Sequence, residues 1–282
     1  MALVRPRLFE SSLKWRRAFC NAAQVTLDMN TWSLPIQDIE EHRNGSKMGI
    51  QWVFLGCPGV GKGTYASKLA SLLSIPHIAM GDLIRQELTK PSLASKKLLS
   101  AMSQGQLLPD DVVLGLLSRR LEMGASNGEK GFILDGFPRT TSQAEILEQA
   151  IGIDMAVNLK LTKDILVTKC LGRRICHQCK KNFNIATIEF EVDGGSKVSM
   201  PPLLPPPACA SKMTIRADDT EDAVRERLRV YAEESKPVED FYRLRGKLLD
   251  FEVIGGIPET WPRLLDVLNL DERDYTLQKM VA

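Results

Sequence analysis

The chain has 282 residues, 44% of them apolar and 26% charged, with 37 Lys and Arg against 35 Asp and Glu, for a formal net charge of +2. This is ordinary for a soluble globular protein made of one large α/β domain with insertions, or of two small domains, and so small a charge argues against a nucleic-acid partner. No run of about 18 apolar residues occurs, so no membrane-spanning helix is expected, and six irregularly spaced cysteines are too few for a secreted disulfide scaffold of this length.

The first segment, "MALVRPRLFESSLKWRRAFCNAA", carries Arg5, Arg7, Lys14, Arg16 and Arg17 against a single acid, Glu10. Basic, acid-poor and lacking a long apolar core, it has the composition of an organellar transit peptide rather than a secretory signal. A basic tail without a targeting role is the plainer alternative. "RRAFCNAA" resembles the processing region of mitochondrial presequences, which leans the expected destination toward mitochondria over plastids. Residues 1–45 are set apart on this ground, and 46–282 form the expected folded domain.

"GIQWVFLG" (Gly49 to Gly56) is a short apolar run ending in glycine and predicts a buried strand. Ala66, Leu69, Ala70, Leu72 and Leu73 then recur at helical spacing. Further apolar runs at Ile75 to Met80, Gly131 to Phe137, Asp154 to Leu161 and Leu248 to Gly256 alternate with helical stretches. That alternation predicts an α/β fold with a parallel sheet covered by helices on both faces. Two inserts interrupt it. Residues 79–108 read as mostly helical and polar. Residues 172–219 hold "CHQCKKNFN", an alternating "IEFEVDGGSKVSM" that predicts a hairpin, and the helix-stopping "PPLLPPPACASK".

Between the first strand and helix lies "GCPGVGKGT", with Gly59, Val60, Gly61, Lys62, Gly63 and Thr64. Backbone N–H groups there can curl around a phosphate at a helix start, and Lys62 adds a point charge. A general phosphate loop places Ser or Thr directly after the lysine, as a magnesium ligand. Here Gly63 holds that place and Thr64 comes one residue late. In "GFILDGFPRTTSQA" an apolar strand ends at Asp135, where a carboxylate in such a sheet lies beside the phosphate loop and can order magnesium-bound water. A helix-capping aspartate is the equal alternative at this stage. Arg85, Arg139, Arg173, Arg174, Arg216, Arg225 and Arg227 form a scatter of guanidinium groups. With Lys62 they suit a reaction that joins two phosphorylated substrates, whose transition state spreads negative charge.

From about Gly49 to Leu270 the sequence closely resembles the adenylate kinases, on "GCPGVGKGT", "GDLIR", "GFILDGFPRT", "GRR" and "RADDTEDAVRERL". It resembles the long-lid variety, and its Cys-x-x-Cys and proline-rich insert look like those of plant organellar members. The resemblance implies a P-loop core with an AMP-binding insert at 79–108 and a lid at 172–219. The implied reaction is MgATP + AMP to two ADP, by a monomer that takes magnesium with its ATP. In that family Gly-Lys-Gly-Thr is the normal loop, magnesium being held mainly by nucleotide phosphates and by water that the aspartate at the Asp135 position orients. The ATP site would comprise the loop Gly59 to Thr64, Arg173, Phe183 near the base and the backbone at Ile257. The AMP site would comprise Met80, Arg85, Leu108, Gly136, Arg139 and Gln143, the arginines at the phosphate and Gln143 at the base. Arg216 and Arg227 would clamp the transferring group, and Asp218 and Asp219 would lock the closed lid through the arginines.

Three positions depart from the family pattern. Met80 stands where Thr or Ser is usual in the AMP pocket, and Lys169 replaces a lid arginine, keeping charge but losing the fork. Cys176, Cys179 and Cys209 make an incomplete zinc set, because structural zinc takes four ligands and Pro206 and Lys212 occupy the flanking ligand positions. A zinc-free lid is the expectation. Two other functions compete: another donor or acceptor specificity, such as a GTP–AMP phosphotransferase or a pyrimidine monophosphate kinase, and an inactive nucleotide sensor. Lys62, Arg139 and Arg227 all being present argues against the sensor.

Overall fold

The computed structural model describes residues 49–88, 93–192 and 196–270. The expected transit segment, 1–45, lies outside them.

Five parallel strands form the central sheet: β1 (Gln51–Gly56), β2 (His77–Ala79), β3 (Phe132–Asp135), β4 (Met155–Lys160) and β10 (Leu248–Glu252), in the order β10-β4-β1-β3-β2. Register is set by β1 lying between β3 and β4, with Phe54 opposite both Asp135 and Val157. The chain leaves β1 toward β3 on one side and β4 on the other, so a crevice opens above the C-terminal end of β1.

The central strands are mostly apolar because helices cover both faces, and their residues alternate between two cores. On one face Val53, Leu55, Leu134 and Ala156 pack against α2 (Met80–Leu88), α4 (Asp110–Ser126), α5 (Thr141–Ala150) and α9 (Lys236–Leu244). On the other, Phe54, Ile133 and Val157 pack against α1 (Lys62–Leu73), α6 (Lys163–Leu171) and α10 (Ile257–Val267). Helix starts are marked by caps the sequence supplies. The Thr140 hydroxyl accepts from the Gln143 N–H, and Thr220 accepts from Ala223 at the start of α8 (Glu221–Val230).

Two stretches interrupt the alternation of sheet strands and covering helices. After β2 come α2 and α3 (Leu93–Ser103), and the apolar run 75–80 divides, with Met80 already the first helical residue. The second insert holds an antiparallel sheet in the order β6-β5-β9, from β5 (Arg173–Cys176), β6 (Asn182–Asn184) and β9 (Met213–Thr214). The alternating stretch is a hairpin of β7 (Ile188–Val192) and β8 (Ser196–Met200), paired from Ile188↔Met200 to Val192↔Ser196. Its tip, 193–195, lies outside the described residues. The proline run ends in a one-turn helix, α7 (Pro207–Ala210), since proline is tolerated in a first turn. Ile188 and Met200 are buried with the second core, which seats the hairpin on the main domain.

A π-helical turn (Tyr231–Ser235) joins α8 to α9. Such turns mark a register change in a helix and recur at functional sites. Nothing in the apolar pattern announced it.

Candidate active site

The loop after β1 turns sharply at Gly61, whose φ of 112° is costly for any residue with a Cβ, and α1 begins at Lys62. Lys62 Nζ donates to the carbonyls of Gly56 at 2.6 Å and Cys57 at 3.0 Å, so its ammonium sits over the loop. Burial lowers its pKa to about 8, although the facing Asp135 carboxylate works against that. Of the loop residues assigned to ATP, Gly59, Gly61, Lys62, Gly63 and Thr64 line the cavity. Val60 differs. Its side chain is fully buried in the core and its N–H donates to Cys57 O at 3.3 Å.

Gly63 has a steric reason to be glycine. A Cβ there would lie 3.2 Å from Asp135 Oδ2, a tight contact that would require the carboxylate to give by a few tenths of an ångström. Asp135 ends β3, and His77 Nε2 on the neighbouring strand stands 3.6 Å from the same oxygen. Burial pushes the Asp135 acid upward, but His77 and the Lys62 charge outweigh it and hold the group below the ordinary carboxylate range. The acid is therefore ionised at neutral pH and suits a hydrated divalent cation.

Gly136 and Arg139 follow Asp135 in a turn. Arg139 Nε donates to Gly136 O at 2.9 Å. Burial lowers the Arg139 pKa to about 10, with further help from Arg227, and the group stays charged at neutral pH. Gln143 is buried, and its amide is partly committed. Its Oε1 accepts from the Arg139 N–H at 2.8 Å and its Nε2 donates to Asp110 Oδ1 at 2.6 Å. One amide hydrogen and one lone pair remain for a ligand. Asp110 was missed in the sequence. Its only signal was its place at the start of a helix directly after the first insert.

Met80 and Leu108 are buried in the first core and also line the cavity with Phe137 and Val113, so this wall is apolar. Arg85, on the next turn of α2 after Met80, pairs with Asp82.

The lid contributes from the opposite side. Arg173 on β5 makes a two-pronged bond to Asp219, Nε to Oδ2 at 2.8 Å with Nη2 on the other oxygen. Arg227 Nη1 lies 3.2 Å from Asp218 Oδ2 and 3.4 Å from Asp219 Oδ1. Arg216 Nη2 donates to Asn182 Oδ1 at 3.1 Å while its buried Nε has no partner, and burial lowers its pKa to about 9. Phe183 on β6 and Ile257, at the start of α10, line the cavity, as does Lys169, whose Nζ lies 3.8 Å from Met200 Sδ. Two members of the arginine scatter fall elsewhere. Arg174 donates to the carbonyls of Leu171 and Arg173, and Arg225 pairs with Glu221 on an exposed helix face.

Most of these groups surround one cavity of about 1020 Å³. It exceeds the volume of an ordinary small-molecule pocket and is ringed by Lys62, Arg85, Arg139, Arg173, Arg216 and Arg227. Of the residues assigned to the two nucleotide sites only Val60 lies off its lining; of the other charged groups, Asp219, Arg174 and Arg225 lie off it as well. The three lid cysteines gather with Cys179 on the cavity's edge, their sulfurs all within 4.8 Å of one another. At the fourth ligand spacing, Lys212 Nζ contacts Gln178 Oε1.

A phosphate loop, a strand-end carboxylate and an arginine-bearing lid around one large cavity define a P-loop phosphotransferase that brings two phosphorylated ligands together. The comparisons make the class specific. The family model for adenylate kinase matches residues 54–247. "Probable adenylate kinase 6, chloroplastic" of Oryza sativa subsp. japonica is 58% identical over 233 residues, 82% of each chain. "Adenylate kinase 1, chloroplastic" of Arabidopsis thaliana is 57% identical over 83% of this chain and 82% of its own. "Probable adenylate kinase 7, mitochondrial" of Oryza sativa subsp. japonica is 38% identical over 82% of this chain and 75% of its own. The chain belongs to the adenylate kinase family.

Proposed function

We propose that the protein transfers the terminal phosphoryl group of MgATP reversibly to AMP, giving two ADP. One observation carries the reading: Lys62 and the glycine loop face Arg139 and the lid arginines across a single cavity large enough for both nucleotides. In-line transfer needs no covalent intermediate and no strong general base. Positioning and fixed positive charge supply the rate.

Lys62 and the loop hold the donor phosphates. Arg85 and Arg139 hold the acceptor phosphate, and the free edge of Gln143 meets the acceptor base beside Met80 and Leu108. Arg173, Arg216 and Arg227 close over the transferring group, while Phe183 and Ile257 bound the donor base. Asp135 is the residue that would orient the water of the nucleotide-bound magnesium, which supplies charge neutralisation between the phosphates. Its ionised state, and the clearance Gly63 gives it, support that role. The closed lid excludes water that would otherwise hydrolyse the donor. A monomer is the working unit that the resemblance to the family implies. Among the described residues Cys176, Cys179 and Cys209 gather without a fourth His, Cys, Asp or Glu, and a lid that takes no zinc is the reading proposed.

We assign the protein to an organelle. Relatives named chloroplastic are 57–58% identical and those named mitochondrial 38–39%. These names support a plastid, and the leaning toward mitochondria drawn from composition alone is corrected accordingly. Among the described residues no helix is long and apolar enough to cross a membrane.

A matrix of four nucleoside triphosphates against AMP, GMP, CMP and UMP tests the reading, with ATP and AMP expected as the best pair. Preference for GTP as donor would move the protein to a GTP–AMP phosphotransferase, and preference for a pyrimidine acceptor would overturn the adenylate kinase assignment.

A further inference from the structure

The lid sheet ends in two short turns. In the first, Cys176 O accepts from the Lys180 N–H at 2.9 Å, bringing Cys179 back over the end of β5. In the second, the Cys209 N–H donates to Pro206 O at 2.8 Å and the Lys212 N–H to Cys209 O at 2.9 Å. A backbone bond from His177 N–H to Lys212 O, 3.0 Å, ties the turns together. Cys179 is exposed and Cys209 half-buried, and their sulfurs stand 3.7 Å apart across 30 positions of sequence. Cys176 lies behind them, buried. Closing that gap to a disulfide bond of about 2.05 Å requires an approach of roughly 1.6–1.7 Å, within reach of side-chain rotation.

We propose that Cys179 and Cys209 are a reversible redox modification site, forming an internal disulfide across the lid tip by exchange with an external disulfide. The exposed Cys179 thiolate attacks one sulfur of the oxidant, forming a mixed disulfide and releasing a first thiolate. The Cys209 thiolate then attacks the Cys179 sulfur, forming the internal bond and releasing the second. The two protein thiols lose two electrons and two protons. The oxidant accepts the electrons and leaves as two thiols. The consequence falls on β5 and on the segment after β9, which carry Arg173 and Arg216 into the active site. A covalent tie at their shared end fixes their spacing.

The test incubates the full chain in glutathione buffers from fully reduced to fully oxidised, followed by non-reducing peptide mapping and thermal melting. The expected result is more than half of the chains joined Cys179 to Cys209 under oxidising conditions, a raised melting midpoint, and full reversal by a dithiol. Cys209→Ser, checked for retained activity in reduced buffer, is expected to form no internal lid disulfide. Cys179→Ser is the second variant should the first fold poorly. Persistence of both thiols in excess oxidised glutathione would overturn the proposal. So would a glutathione adduct on Cys179 that never closes, or one bound zinc per chain that shields the three sulfurs.

Discussion

At the scale of single residues, the site rests on charges held where water is scarce. Lys62 is the sharpest case, because burial brings its pKa to about 8. Deprotonation on raising pH removes the charge that meets the donor phosphates. We expect kcat/KM for MgATP to fall as pH rises through about 8, by about tenfold per further unit, since that parameter reports the free enzyme. Phosphate in the complex favours the ammonium, so kcat is expected to decline at higher pH than kcat/KM. A pH profile in which both decline together would refute this. Lys62→Met is expected to cut turnover by about 10²–10³ in a coupled ADP assay while the melting curve stays cooperative. Near-full activity would remove Lys62 from the site. Met80 tests the acceptor side. It is 1% exposed and sits in the core as well as on the cavity wall. Met80→Thr introduces a hydroxyl there, and a neutral hydrogen bond contributes about 0.5–1.5 kcal/mol net. The AMP KM should fall roughly threefold to tenfold with little change for ATP, alongside some loss of stability from the smaller apolar side chain. Unaltered AMP kinetics would mean that the side chain serves packing alone.

At the scale of elements, the lid is held by ion pairs that the parallel sheet cannot supply. The Asp219 side chain is fully buried and binds both Arg173 and Arg227. Removing one partner of a buried pair leaves the other charge uncompensated and typically costs about 3–5 kcal/mol. Asp219→Ala is therefore expected to lower the melting midpoint, speed amide exchange in β5 and β9, and raise the KM for MgATP more than that for AMP. Equal effects on both substrates would show that Asp219 supports the fold without favouring the donor side. The elements differ in how plainly the sequence announces them. β1, β3 and β4 are mostly buried, so each is a largely apolar run, and the hairpin β7–β8 shows strict alternation. The phosphate loop and Asp135 are legible because strand, glycines and charge occur together. What the sequence concealed depends on partners distant in the chain. Asp110 reaches Gln143 across 33 positions, and the reason for glycine at 63 lies in Asp135 on another strand. The π turn is equally silent, since Tyr231 finds its partner in Glu239, at 2.6 Å, only once α9 has packed.

At the scale of the whole molecule, the charge is unevenly distributed. Of the 37 basic residues five lie in the first 23 positions, against one of the 35 acids, so that segment carries +4 of a total of +2 and the remainder carries −2. A folded surface of mixed sign needs no such basic end, and the structural account of the site uses none of residues 1–45. Targeting is the reading that gives the segment work to do, because a basic, acid-poor leader without a long apolar core is the composition of a transit peptide. Residues 1–45 fused to a fluorescent protein should therefore deliver it to plastids, and the chain lacking them should keep its kinetics. Delivery to mitochondria would restore the reading that composition alone suggested and would set this chain apart from its more similar relatives. Diffuse cytosolic fluorescence would remove the targeting role altogether. A truncated chain that lost activity would instead place the segment in the folding or chemistry of the domain, against an active site that draws every named residue from Gly59 to Ile257.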